Sequence, residues 1–302
     1  MEPQLLKLSK LSGPKEILAN LHESLCQKEF VQSHILISEY IMTVQELVEI
    51  LRPILLEKFP LPAEKNSPKC PALVAIKETE NGSDENKISF VFNGEKLQIL
   101  LFSTGTAPTS CIDNFPLEVI LNGKSISCKF PFGGIETNSE AVFASEKVKR
   151  EEKPVSFFRG IFGPVPFLET KPPTQLVYST DVVLSLDKMS AKTAPRKLVC
   201  KEGFFGTNGI WDTELRVWVM IKAMLLKFEY NAVLREILLK ATSDPDCILG
   251  EIQANEDPWT VLATDDSVGL LGAVASVVSL LIRTSTSFEE ICPKEILEKL
   301  KY

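Results

Sequence analysis

Histidine is almost absent from this chain, and cysteine is present without pattern. Only His22 and His34 occur in 302 residues. A His-rich metal site is thereby excluded, and a Cys/His or Ser/His nucleophile would have to use one of those two. The seven cysteines, Cys26, Cys70, Cys111, Cys128, Cys200, Cys247 and Cys292, are scattered and form no Cys-x-x-Cys pair. That spacing suits neither a zinc site nor a disulfide framework, and it reads as a reduced, intracellular chain of buried thiols. No metal and no cofactor are expected. Glycine-rich phosphate loops are missing too. Gly133-Gly134 and Gly160-Ile-Phe-Gly163 lack the Walker and Rossmann spacings and read as turns.

Positive charge is in deficit. Lys+Arg number 33 against 40 Asp+Glu, a net charge of -7, so the basic surface that non-specific nucleic-acid binding requires is not there. Lys147 to Arg150 is interleaved with Glu151 and Glu152 and reads as a solvated face. The charge-free and almost wholly apolar run Val268 to Ile282 is about fifteen residues, too short to cross about 30 Å of hydrocarbon. It reads as a buried helix on which Gly269, Gly272, Ser276 and Ser279 let another element pack closely. Residues 1–10 lack the apolar core of a signal peptide. A cytoplasmic or nuclear location without membrane association is therefore expected.

What is present is an ordinary globular composition, 44% hydrophobic and 24% charged. Residues 1–60 read as a helical segment. Gly13-Pro14 opens a helix carrying Leu18, Leu21 and Leu25. Thr43-Val-Gln-Glu46 has the capping-box form, and Pro53 should kink or end the helix that follows. Residues 61–86, with their prolines and polar run, read as a linker. From 87 the hydrophobic period becomes two. Asn93-Gly94 and Asn122-Gly123, each between apolar runs, mark two hairpins. Residues 133–175 look irregular, within an insertion of about 133–200 that also holds strand-like runs at 176–186 and 198–200. From Trp211 the chain reads as helical, with an apolar helix over Leu215 to Phe228, a break at Thr242-Ser-Asp-Pro245, a capping box at Ser287-Phe-Glu-Glu290 and a final helix to Leu300. Hairpins followed by helices predict an α+β fold.

The stretch from Trp211 to Gly269 carries Val219-Met220, Lys227-Phe228, Asn231, Leu234-Arg235, Leu238-Leu239, Ala241-Thr242, Glu251, Asn255, Asp257, Trp259 and Val268-Gly269. Upstream stand Phe102-Ser-Thr104, Asp113-Asn114-Phe115 and Leu121-Asn-Gly123-Lys124. In order and spacing these resemble the NADAR (YbiA-like) superfamily over roughly 97–285. The resemblance implies a mixed α+β domain, here residues 87–302, with a pocket for ADP-ribose-like or ribosyl-base compounds and hydrolysis of an N-glycosidic bond. It marks Glu251 and Asp257 as carboxylates in matching places, Trp259 and Trp211 as candidate base-stacking or pocket-wall residues, and Lys227 and Asn231 as candidate ligand contacts.

The family places Ser/Thr-x-Glu-His-Tyr-x-Gln-Ala, then a Lys, on a helix after its Asp-Gly turn, and that Glu is its acid/base candidate. Here the register reads Cys128-Lys-Phe130-Pro-Phe132-Gly-Gly134, with Phe130 in the place of the Glu and Glu136 as the nearest acid. The expectation is a degenerate NADAR-like pseudoenzyme that binds a protein or nucleotide-type ligand, with the N-terminal helices or the insertion as partner surface. The alternatives are an active N-glycosidase using Glu251 or Asp257 with a displaced Glu136, and a structural assembly subunit. Bland roles compete throughout: loop acids or helix caps for Glu251 and Asp257, core for the tryptophans and His34, and a helix C-terminus for Lys227.

Overall fold

The structure is a computed structural model that describes residues 13–58, 87–92, 94–102, 112, 118–149, 213–252, 259, 261 and 269–300. In chain order its elements are α1 (Pro14–Cys26), α2 (Phe30–Lys58), β1 (Lys87–Phe92), β2 (Glu95–Phe102), β3 (Glu118–Leu121), β4 (Lys124–Ser127), β5 (Phe130–Phe132), β6 (Ile135–Thr137), α3 (Ser139–Lys149), α4 (Thr213–Tyr230), α5 (Ala232–Ala241), β7 (Cys247–Glu251), α6 (Leu270–Arg283), α7 (Phe288–Ile291) and α8 (Lys294–Leu300). Helices and small sheets make this an α+β chain. It divides into two units, one of residues 1–113 with 233–291, the other of residues 114–232 with 292–302.

In the first unit α1 packs on α2, and Ile17, Leu21 and Leu25 are buried with Leu36, Ile37, Tyr40, Val44, Leu47, Val48, Leu51 and Leu55. Thr43 starts no helix, which corrects that expectation, and of the kink or end expected at Pro53 the end is excluded, for α2 runs unbroken through both. Thr43 is wholly buried on the packed face instead of turning back to cap a terminus. Pro53 is exposed, while Leu51 and Leu55 on either side are buried. Burying each leucine yields about 1.5–3 kcal/mol, which offsets the roughly 3 kcal/mol that an interior proline costs.

The sheet of this unit has the order β1-β2-β7. β1 and β2 form the expected antiparallel hairpin with Phe92 opposite Glu95, and Gly94 supplies the positive φ of 85° in its turn. β7 is parallel to β2, with Ile99 opposite Ile248. The expectation of a solvated loop acid is corrected for Glu251, because all five β7 residues are buried. A five-residue run is too short to show a period. The apolar run at 268–282 forms α6, a core helix whose only half-exposed positions before Arg283 are Leu280 and Ile282. A Cβ on Gly272 would collide with the Leu249 carbonyl of β7, so the small-residue face does admit close packing. No helix among the described residues is long and apolar enough to cross a membrane. α7 opens on the expected capping box. Ser287 N–H and Oγ each donate to Glu290 Oε2, at 2.8 and 2.9 Å, and Glu290 N–H donates to Ser287 Oγ at 3.3 Å.

In the second unit β3 and β4 pair across Asn122-Gly123, whose φ angles of 51° and 74° are those of a type I′ turn. β5 and β6 form another hairpin across Gly133-Gly134. The irregular reading from 133 is corrected up to residue 149. Asn138 Oδ1 accepts the Ala141 N–H at 3.1 Å and caps α3. α3 and α4 pack together, and Phe130, Val142 and Ala223 form a core joined by Phe132, Ile135 and Leu226. The proposed linker, the strand-like runs at 176–200, Asp257 and Trp211 lie outside the described residues.

Candidate functional site

The candidate residues fall in both units. In the first, β2 and β7 run in parallel and finish level, with Phe102 opposite Glu251. The Ile252 N–H donates to the Phe102 carbonyl at 2.8 Å, and the Val261 N–H donates to the Glu251 carbonyl at 2.8 Å. Glu251 is only 1% exposed and Phe102 is fully buried. A carboxylate so placed must be paired or neutral, and Glu251 is not without a partner. Glu251 is thus an interior group at a strand end.

Trp259 follows, with a half-buried side chain. Its carbonyl accepts the Leu271 N–H at 3.1 Å, in the first turn of α6. Gly269 precedes that turn at a φ of 68° and offers no capping side chain, so the Trp259 backbone supplies an acceptor that the helix start otherwise lacks. The Trp259 backbone is thereby tied to the start of α6.

In the second unit, Lys227 lies in the last turn of α4 and is 1% exposed. Its ammonium stands 5.4 Å from the Phe228 ring centroid, and the side chain is not free. Asn231 holds structure together. Its Nδ2 donates to the Lys227 carbonyl at 2.9 Å and to the Lys129 carbonyl at 3.2 Å. It closes α4 and fastens the β4–β5 connection to that end. Glu136 is exposed on β6 opposite Pro131. Phe130 is 1% exposed in the core.

Sequence reasoning missed Glu140. Because β5 and β6 form a hairpin, the helix after the Asn-Gly turn starts only at Ser139. Its sequence there is Asn138-Ser-Glu140-Ala-Val-Phe143, with Lys147 further on. Glu140 is half-buried in the first turn, where the helix N-terminus favours a carboxylate. The available signal was Asn138, a strong N-cap residue just ahead of an acid and an apolar pair. Glu146 on the same helix was missed as well and is 5% exposed.

Among the described residues no three His, Cys, Asp or Glu side chains group as metal ligands. Of the described cysteines, Cys128, Cys247 and Cys292 are buried as expected, but Cys26 is exposed on α1. It stands 3.9 Å from His22 Nε2. Burial pushes the Cys247 thiol up to about 11 and the Tyr40 hydroxyl up to about 12. No family model, curated protein or solved structure matches the chain.

Proposed function

We propose that the chain is a NADAR-like binding protein that takes a nucleotide-type ligand at the carboxyl ends of β2 and β7. The observation that carries this reading is the pairing of Phe102 with Glu251. Two sequence stretches that resemble the family, far apart in the chain, meet there in register. In open α/β sheets the carboxyl ends of parallel strands commonly offer ligand sites, and the β2–β7 pair presents such an end. Trp259, half-buried, follows β7 in the chain and carries an indole of the kind that stacks on a base. Glu251 is 1% exposed, which suits a structural group beneath the site better than a proton shuttle. Binding without turnover accounts for that placement.

Thermal unfolding of the full chain with increasing ADP-ribose tests the reading. A ligand at one hundred times its Kd adds about 2.7 kcal/mol of stability, so Tm should climb with concentration. Trp259→Ala should abolish the climb. A Tm unmoved at millimolar ADP-ribose, or a rise that survives Trp259→Ala, overturns it.

One observation favours hydrolysis as a second reading. α3 begins at Ser139 and carries Glu140, as the family carries its acid/base glutamate on a helix. N-glycosidic cleavage passes through an oxocarbenium-like state that a carboxylate can stabilise. Release of ADP-ribose from ADP-ribosylated guanine nucleotides, lost in Glu140→Gln, would favour this reading over the first.

A further inference from the structure

Nine large hydrophobic side chains are strongly exposed among the described residues, and five of them, Val31, Ile35, Met42, Ile50 and Ile54, lie on α2. Single exposed hydrophobes need no explanation, but a concentration along one helix does. Val31 is 80% exposed, Ile35 and Met42 53% each. At about 100° per residue, Val31, Ile35 and Met42 fall within roughly 40° of one another. The stripe lies opposite the buried face built on Leu36, Tyr40, Leu47 and Leu51.

The charges beside the stripe carry one sign. Glu39, Glu46 and Glu57 follow its edge, and Glu49 stands on the stripe itself. None of the four has a hydrogen bond or ion pair among the described residues. Arg52 is the one cation from Phe30 to Glu57, and it is already engaged. A second copy of the chain fits poorly, because antiparallel α2 helices would bring the same glutamate row face to face and like charges repel there. The whole chain, at net charge -7, repels its own copies as well.

We infer that the outer face of α2 docks an amphipathic helix of a partner protein, one with an apolar seam and lysines or arginines along its edge. The seam would cover Val31, Ile35 and Met42, and the cations would meet Glu39 and Glu46. This surface is separate from the nucleotide site and does not rest on that reading.

The test uses the full chain and a labelled three-heptad peptide with leucine at its a and d positions and lysine at the flanking positions. A second peptide has glutamate in place of lysine. Fluorescence anisotropy should show saturable binding of the lysine peptide, weakened at least about tenfold by high salt and at least about tenfold by the double change Ile35→Ser, Met42→Ser. Glu39→Lys with Glu46→Lys should transfer the preference to the glutamate peptide. All four side chains are exposed or half-exposed, so unchanged circular dichroism serves as the folding control. Absence of binding, equal binding of both peptides, or binding indifferent to the α2 changes overturns the inference. So does concentration-dependent self-association lost in the Ile35→Ser, Met42→Ser chain, which would assign the face to a second copy.

Discussion

Glu251 lies directly across from Phe102 in the parallel pairing of β7 with β2. A parallel neighbour cannot be reached by a tight turn, so the chain between them has to leave the sheet and return. What it returns with is a strand without a polar position facing water: Cys247, Ile248, Leu249, Gly250 and Glu251 are all buried. A strand with helix α6 packed on it demands such burial. The carboxylate is tolerated at the end of the strand, where the sheet stops and connecting chain begins.

The closeness of α6 to β7 makes Gly272 irreplaceable. A Cβ there would overlap the Leu249 carbonyl oxygen and crowd the Gly250 nitrogen, and both are backbone atoms that no rotamer change can move. Gly272→Ala should therefore fall at the upper end of overpacking costs, about 3 kcal/mol, and lower Tm by roughly 6–12 °C. Differential scanning calorimetry checks this. Helix propensity alone would make the same change stabilising by about 0.5–1 kcal/mol, so even the sign separates the two effects.

Asn231 should act on stability rather than on ligand binding. Its amide nitrogen serves two carbonyls, those of Lys227 and Lys129, within one unit. Asn231→Ala removes both bonds and leaves half-buried acceptors behind, a loss of about 1–3 kcal/mol. Urea unfolding should show a lower midpoint with an unchanged slope. An unchanged midpoint would mean that the two bonds contribute nothing.

The legible part of this fold was written in turns and caps. Asn93-Gly94 and Asn122-Gly123 announced their hairpins, since few other dipeptides accept two positive φ angles. Ser287 and Glu290 announced α7. Thr43-Val-Gln-Glu46 had the same pattern and marked nothing, because burial of Thr43 on the α2 face outweighed a local cap. Five-residue β7 was hidden, for its pairing with β2 is non-local. The place of Glu140 was hidden by the β5–β6 hairpin, which shifts the following helix along the chain. Phe130, the residue that the resemblance sets in the register of the family's glutamate, is a core group packed near Val142 and Ala223.

Thiol labelling should separate the described cysteines by location. Cys26 is exposed on α1, whereas Cys128, Cys247 and Cys292 are buried. Burial also holds the Cys247 thiol near 11, which leaves almost no thiolate at neutral pH. Brief treatment of the native chain with iodoacetamide, followed by peptide mass spectrometry, should find Cys26 modified well before the other three. Comparable labelling of Cys247 under native conditions would contradict its place in the core strand.

Tyr40 sets an alkaline limit on stability. Its ring is wholly buried on α2 and its hydroxyl has no hydrogen-bond partner of proper geometry. Desolvation raises its pKa from 10.0 to about 12, and the nearby Ser276 hydroxyl only tempers the rise. In the unfolded chain the phenol ionises near its ordinary value, so between these two values the unfolded state binds fewer protons than the native one. Stability is then fully present below pH 10 and is lost as pH rises toward 12. Tyr40→Phe deletes the ionisation along with an unsatisfied buried hydroxyl. At pH 7 the variant should be as stable as the parent or slightly more so, since removing an unpaired buried polar group is neutral to favourable. Between pH 10 and 12 its Tm should fall less steeply than that of the parent. Parallel Tm–pH curves for the two proteins would show that the Tyr40 hydroxyl is solvated in the native state.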